Sequence, residues 1–487
     1  MEEIDIALLK KKSLTGIVAL TSRTFFLQVI AFGATVLLTI FLSPSVFGVF
    51  FVVSAIISFL GYFSDIGLAA ALIQKKEPLT SEDLTTTFTI QQFLVGLLVV
   101  VSLVFSYQIG AFYGLDTSGI WLFRALVISF FLSSLKTIPS VLLERNLEFQ
   151  KLIIPQILET IGFYAVAVML AWLGWGITSF TWAVLVRAII GLIGIYIIRP
   201  WKIEIGFSMI VAKKLMRFGV PFQMNSFLAL LKDDLLTVFL GKILPFSQVG
   251  YIGWAKKWAE VPLRLIMDSV VRVTFPAFSR IQHDRNVLSK ALEKTLFGLS
   301  VSIFPITVGL LFFVAPLVGL IPKYTKWEPA LMSFYLFAVG SAVSSLSTPL
   351  TNALNAVGKI KITLWLMVLW TTSTWILTVT FIHFIGFNGF ALALLVITST
   401  LFIVIALVKK ITPFSFLKSI QAPLLGATIQ AAAYVLFSRL FNPHSVVLLT
   451  ISGTCGVILY GGVIWLMERE RIRSLAQQFL PLLLWKQ

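Results

Sequence analysis

Between Trp254 and Val273 the chain reads WAKKWAEVPLRLIMDSVVRV, and its charges recur every four residues with alternating sign: Lys256, Glu260, Arg264, Asp268 and Arg272. Lys257 adds one more cation. Clustered Lys and Arg bind phosphate-type anions through charge-assisted hydrogen bonds. Interleaved acids either neutralise such cations or give them up to an incoming anion. On a soluble helix this pattern would be an ordinary salt-bridged face. Inside a bilayer every one of these residues is costly and must turn to the protein interior or to water. Residues four apart drift about 40° per step on a 3.6-residue helix, so the ladder turns through about 160° and cannot line a single wall. The arc Lys257 to Arg264 is the expected substrate-facing part. Asp268 and Arg272 are expected to pack or to line the inner mouth. Pro262 interrupts the middle of the segment and is expected to kink it.

Other charges sit in apolar surroundings. Asp233 and Asp234 precede a turn at Leu244 by about as many residues as Lys256 and Lys257 follow it. Their matched depths allow pairing across a hairpin, read either as a static ion pair or as an exchangeable coupling site. Arg23 lies about 12 Å inside its helix at 1.5 Å per residue, and Arg187 falls near the centre of another. Both are candidates for a cationic path, with a structural pair to an acid such as Glu159 as the alternative. Asp65, in FSDIGL, either caps locally or gates the inner mouth. Lys136, Arg272 and Arg439 are expected to snorkel to the interface. His283, His383 and His444 are too scattered for a metal site, and Cys455 reads as a small packed apolar residue. No phosphate-binding loop or nucleophile elbow occurs, and no metal or cofactor is expected.

The elements that carry these charges are hydrophobic helices. The chain has 487 residues, 58% hydrophobic and 12% charged, with a mean hydropathy of +0.97. A bilayer-spanning helix needs about 20 apolar residues. Such stretches fall at 15–42, 46–73, 84–107, 120–143, 152–173, 177–198, 214–240, 247–275, 291–314, 328–354, 362–382, 387–408, 419–440 and 445–467. The expectation is an all-α polytopic membrane protein of about 14 transmembrane helices. With a cytoplasmic N-terminus, 25 Lys and Arg fall on inner segments and only Lys242, Lys323 and Lys326 on outer ones. That is a strong positive-inside bias. If 247–275 did not cross, every later basic loop would flip outward, so the charged ladder is expected to span. The net charge of +17 then reflects topology and anionic lipid headgroups, not nucleic acid. Both termini are expected in the cytoplasm, and 201–213 and 468–487 are expected to lie on the inner membrane face. All loops are too short to house a soluble catalytic domain, which disfavours an enzyme.

The halves echo each other. LSPSVFGVF at 42–50 matches LPFSQVGYI at 244–252, with Gly48 aligned to Gly250, and Pro139 pairs with Pro349. Six helices per half place both repeats in one orientation, an arrangement in which transporters hold substrate between the halves. The expected organisation is an N-lobe at 1–200, a C-lobe at 201–412, and helices 13 and 14 with an amphipathic tail at 413–487.

Four segments carry a family resemblance: LSPSVFG at 42–48, FSDIGLAAALIQ at 63–74, ERNLEF at 144–149 and FPAFSRIQ at 275–282. With them the chain resembles the polysaccharide transporter, O-antigen flippase-like family of the multidrug/oligosaccharidyl-lipid/polysaccharide (MOP) exporter superfamily. The resemblance implies a prokaryotic inner-membrane flippase for polyprenyl-pyrophosphate-linked oligosaccharide. It would work by alternating access through a cationic cavity, driven by H+ or Na+. Implied partners are the lipid-linked saccharide, membrane lipids and polysaccharide polymerase or export machinery. Arg23, Arg187, Lys256, Lys257 and Arg264 become candidates for the substrate path. Asp65, Asp233, Asp234, Glu260 and Asp268 become candidates for coupling or charge pairing. The rivals are an organic-cation exporter of the same superfamily, which favours an acidic cavity, and a membrane glycan polymerase or ligase, which needs a large outer domain.

Overall fold

The computed structural model describes residues 27–224, 227–441 and 445–469. Among them no strand occurs. Among the described residues eleven helices are long and apolar enough to cross a membrane. The chain divides into two compact units, Met1–Gly250 and Tyr251–Gln487.

The first unit begins with α1 (Leu27–Phe41). It continues with α2 (Pro44–Asp65), α3 (Leu68–Gln74), α4 (Ser81–Val104), α5 (Ser106–Tyr113), α6 (Thr117–Ser134) and α7 (Thr137–Arg145). Then come α8 (Phe149–Trp172), α9 (Thr178–Ile198), α10 (Met209–Met224), α11 (Phe227–Ile243) and the first turn of α12 (Phe246–Ile281).

Stretches expected as single spans are broken, 46–73 and 120–143 among them. Ile66 and Gly67 both adopt left-handed backbone, with φ of 50° and 75°, and separate α2 from α3. Asp65 caps the new helix, its Oδ1 accepting from the Ala69 N–H at 3.1 Å. The second break, at Leu135–Lys136, separates α6 from α7. Residues 201–208 form no helix. They dock on α4 instead, the Gly206 and Ser208 N–H groups donating to Thr89 and Thr86 hydroxyls.

Small residues let the helices approach closely, the usual device where lipid offers no hydrophobic drive to association. On α9, a Cβ at Gly191 would lie 1.9 Å from Glu159 Oε1, and one at Gly194 would lie 3.4 Å from Pro155 of α8. The repeated glycines meet main chain against main chain. A Cβ at Gly48 would lie 1.8 Å from the Phe246 carbonyl oxygen. Reciprocally, one at Gly250 would lie 1.9 Å from the Pro44 carbonyl oxygen. The LSPSVFG and LPFSQVG turns therefore interlock symmetrically. At the other end of α2, a Cβ at Gly67 would lie 2.2 Å from the Gly219 carbonyl oxygen on α10. There Tyr62 and Gln223 exchange hydrogen bonds, each side chain donating to the other's carbonyl at 2.6 and 2.8 Å. Helix α2 is thus held at one end against the first turn of α12 and at the other against α10.

The second unit holds the rest of α12, then α13 (Arg285–Leu320), α14 (Leu331–Ala356), α15 (Ile360–Ile385), α16 (Asn388–Ile397) and α17 (Leu401–Lys409). It ends with α18 (Phe416–Phe441) and α19 (Val446–Met467). Its main core joins Phe278, Leu292, Leu350, Leu354, Leu366 and Val404. A second cluster sets Phe297 against Ala422, Ala427, Tyr460 and Ile464 of α18 and α19. Trp254 stacks on the fully buried Trp327 at 5.6 Å. Cys455 corrects an expectation. It is exposed on α19, because that helix buries only the stripe Leu449, Ser452, Gly456, Tyr460 and Ile464.

Candidate functional site

A cavity of about 410 Å3 opens in the first unit. Leu27, Ala31, Phe50 and Phe163 form its apolar walls, and Gln28, Thr160, Tyr164 and Arg187 supply polar groups. The α8 residues follow from helical spacing, with Thr160, Phe163 and Tyr164 on one face of the helix. Phe50 stacks on Phe180 at 4.2 Å, which fixes that wall. Arg187 reaches the cavity from α9, and its guanidinium carbon lies 6.0 Å from the Phe163 ring centre.

Behind Arg187 lies a buried acid. Glu159 is 9% exposed. Its Oε1 accepts a hydrogen bond from Lys136 Nζ at 2.7 Å, and its Oε2 lies 3.8 Å from Arg187 Nε. Lys136 does not snorkel as expected. It sits in the break between α6 and α7, where Tyr196 holds the backbone by donating to the Leu135 carbonyl at 3.1 Å, and its side chain turns inward to α8. A buried carboxylate needs such compensation, since an unpaired charge there would be prohibitive. One acid between two cations leaves a net positive site facing the cavity. That favours an anion over an organic cation.

The charged ladder is displayed on α12. Among the described residues of the ladder segment, Trp254, Ala255, Ala259 and Leu263 form the buried stripe. Lys256, Lys257, Glu260 and Arg264 lie off that stripe. Arg264 donates to Glu260 Oε2 at 2.9 Å, and its side chain is 67% exposed. Lys256 Nζ stands 5.9 Å from the Phe390 ring centre, and Lys257 is half-buried. Asp268 and Arg272 are helical, but their side chains lie outside the described set, as does that of Pro262. Arg23 also lies outside the described residues. Asp233 is exposed and Asp234 half-buried on α11 of the first unit. Asp65 serves as the α3 cap described above. Among the described residues no cluster of His, Cys, Asp or Glu could hold a metal.

Two features escaped the sequence reading. One is the Lys136–Glu159 pair, whose members lie 23 residues apart on different elements. The other is Arg145, whose guanidinium donates to the carbonyls of Leu72, Lys75 and Glu77 at 2.6, 2.6 and 2.5 Å. It ties the α7 end to the C-terminus of α3, where free carbonyls need donors. Its position in ERNLEF was visible, but its partners were not.

The family described as "Polysaccharide biosynthesis protein" matches residues 37–331. The chain belongs to that family. The match includes α2, α8, α9 and α12, which carry the cavity wall and the ladder. The chain is similar to the succinoglycan biosynthesis transport protein ExoT of Rhizobium meliloti, 25% identical over 89% of each chain. It is also similar to the lipopolysaccharide biosynthesis protein WzxC of Escherichia coli, 26% identical over 65% of this chain and 64% of that one. Among solved structures, the lipid II flippase MurJ in an inward closed conformation aligns with a TM-score of 0.75 at 16% identity, covering 93% of this chain and 99% of that one. An inward-facing multidrug resistance MATE transporter of the MOP superfamily aligns with a TM-score of 0.58 at 15% identity, covering 86% and 99%. At these identities the likeness establishes the fold. This family member is a multi-pass membrane protein, helical throughout its described secondary structure, with the fold shared by those MurJ and MATE structures.

Proposed function

We propose that this protein is a flippase that moves a lipid-linked saccharide across the cytoplasmic membrane, headgroup first, for cell-surface polysaccharide synthesis. The observation that carries the reading is the net positive cavity, with the Arg187 guanidinium on its wall and Glu159 already compensated by Lys136 behind it. A pyrophosphate crossing an apolar region needs positive, hydrogen-bonding partners, and this wall supplies one. Arg23, Lys256, Lys257 and Arg264 are further proposed contacts for the headgroup. Asp233, Asp234, Glu260 and Asp268 are its proposed counter-charges, and H+ or Na+ is the proposed coupling ion. Fourteen spans with both termini in the cytoplasm agree with the distribution of Lys and Arg.

Family membership and the likeness to a succinoglycan transport protein support a transport role in polysaccharide synthesis over a polymerase or ligase. The positive cavity disfavours an organic-cation exporter. The test uses cells lacking the protein. Their lipid-linked saccharide should resist periodate added outside, and expression of the wild-type chain should restore oxidation. Equal oxidation in both strains would refute the proposal.

A further inference from the structure

We infer that Glu159 is the resident counter-ion of an anion-exchange site, from which an incoming phosphate or pyrophosphate takes Arg187 and to which Arg187 returns when the anion leaves. The inference rests on reading the cavity as the headgroup site.

The geometry divides the two cations unequally. Lys136 is hydrogen-bonded to Glu159 at 2.7 Å and only 17% of its side chain is exposed. Arg187 stands at 3.8 Å, beyond hydrogen-bond distance, with 55% of its side chain exposed. Among the described residues its guanidinium makes no hydrogen bond, so its forked donors remain available to a phosphate. The Lys136 hydrogen bond holds the carboxylate back. It also packs against Gly191 of α9, where an added Cβ would lie 1.9 Å from Oε1. Glu159 is therefore the fixed member and Arg187 the mobile one. Tyr164 and Thr160 border the same space.

This arrangement answers two needs of a carrier. The empty protein must not leave two uncompensated cations in a low-dielectric span. The loaded protein must also release its anion, and a carboxylate waiting beside Arg187 competes for it at every encounter. Glu159 is thus a positioning residue that sets affinity and release. It is not the group that grips the substrate.

The test measures binding of inorganic pyrophosphate to the purified full chain in nanodiscs by calorimetry. Wild type should bind, and Arg187→Gln should weaken binding at least tenfold. Glu159→Gln removes the competitor and should tighten binding about tenfold, while turnover in a flipping assay falls. Glu159→Gln with Arg187→Gln should bind as weakly as Arg187→Gln alone. Weaker or unchanged binding in a monodisperse Glu159→Gln protein would overturn the inference. If that single variant does not fold, Lys136→Gln with Glu159→Gln removes the pair together and leaves Arg187 without a competitor. It should bind at least threefold tighter than wild type, and weaker binding overturns the inference equally.

Farnesyl pyrophosphate separates the sources of the anion. Displacement of inorganic pyrophosphate at a lower concentration assigns the headgroup to a lipid. The reverse order assigns a free anion and breaks the link to flipping. Absence of flipping by the wild type, beside tighter binding in Glu159→Gln, would remove the transport reading and keep the exchange. Flipping with unchanged binding would do the opposite.

Discussion

Gly48→Ala tests the interlocked turns most sharply. The new Cβ would lie 1.8 Å from the Phe246 carbonyl oxygen. An ordinary carbon–oxygen contact needs about 3.3 Å, so the two backbones must separate by about 1.5 Å. Neither side can yield by rotating a side chain, because the obstructing atoms are main chain. Overpacking of this kind costs about 1–3 kcal/mol. A cost of about 2 kcal/mol lowers the population of the interlocked arrangement about thirtyfold. Gly250→Ala should cost about as much, since its Cβ would lie 1.9 Å from the Pro44 carbonyl oxygen. The double variant should cost less than the sum, because parting the turns once relieves both contacts.

The assay places a cysteine at Val52, which is fully buried and lies against Gly241. The background is Cys455→Ser, which removes the chain's one cysteine. Labelling of Val52→Cys by a water-soluble maleimide then reports opening of the seam between α2 and α11. Gly48→Ala should raise the labelling rate about thirtyfold at unchanged protein level. An unchanged rate in a well-folded variant would refute the reasoning.

Three further outcomes follow from other contacts. Arg145→Ala removes three charge-assisted bonds to carbonyls and should destabilise the protein by about 3 kcal/mol, read as a lower thermal midpoint in detergent. Arg145→Lys should restore little of this, because an ammonium lacks the planar fork. Trp327→Ala empties a fully buried site stacked on Trp254 and should cost about 3–5 kcal/mol, with loss of protein from the membrane fraction. Arg264→Ala breaks only an exposed pair with Glu260, so its effect on the thermal midpoint should match about 0.5 kcal/mol or less. Its flipping rate should fall at least tenfold. A matching fall in stability would make Arg264 a folding residue instead.

Much of this organisation was legible in the chain, for identifiable reasons. Long apolar stretches announce membrane helices because the bilayer fixes their length. The Gly48–Gly250 correspondence was visible as a repeat, although the close backbone approach behind it appears only in three dimensions. The α12 ladder was legible from spacing, and the structure carries it on one helix, Phe246–Ile281. What escaped depends on tertiary direction. Lys136 looked like an interfacial lysine because the Leu135–Lys136 break, which aims it at Glu159, leaves no composition signal. The α2–α3 break was masked by its apolar context, since Ile66 is an unusual residue for left-handed backbone. Cys455 looked packed because lipid-facing and protein-facing apolar residues are compositionally alike.

The central claim is transport of a lipid-linked saccharide through a cationic site. It is tested most directly by reconstituting the purified protein in liposomes with fluorescently labelled polyprenyl-pyrophosphate-linked sugars and measuring their exposure on the opposite leaflet. Wild type should expose the label faster than empty liposomes, and Arg187→Gln should abolish most of the difference at equal incorporation. No exposure of any native lipid-linked saccharide, together with uptake of organic cations by the same liposomes, would contradict the account.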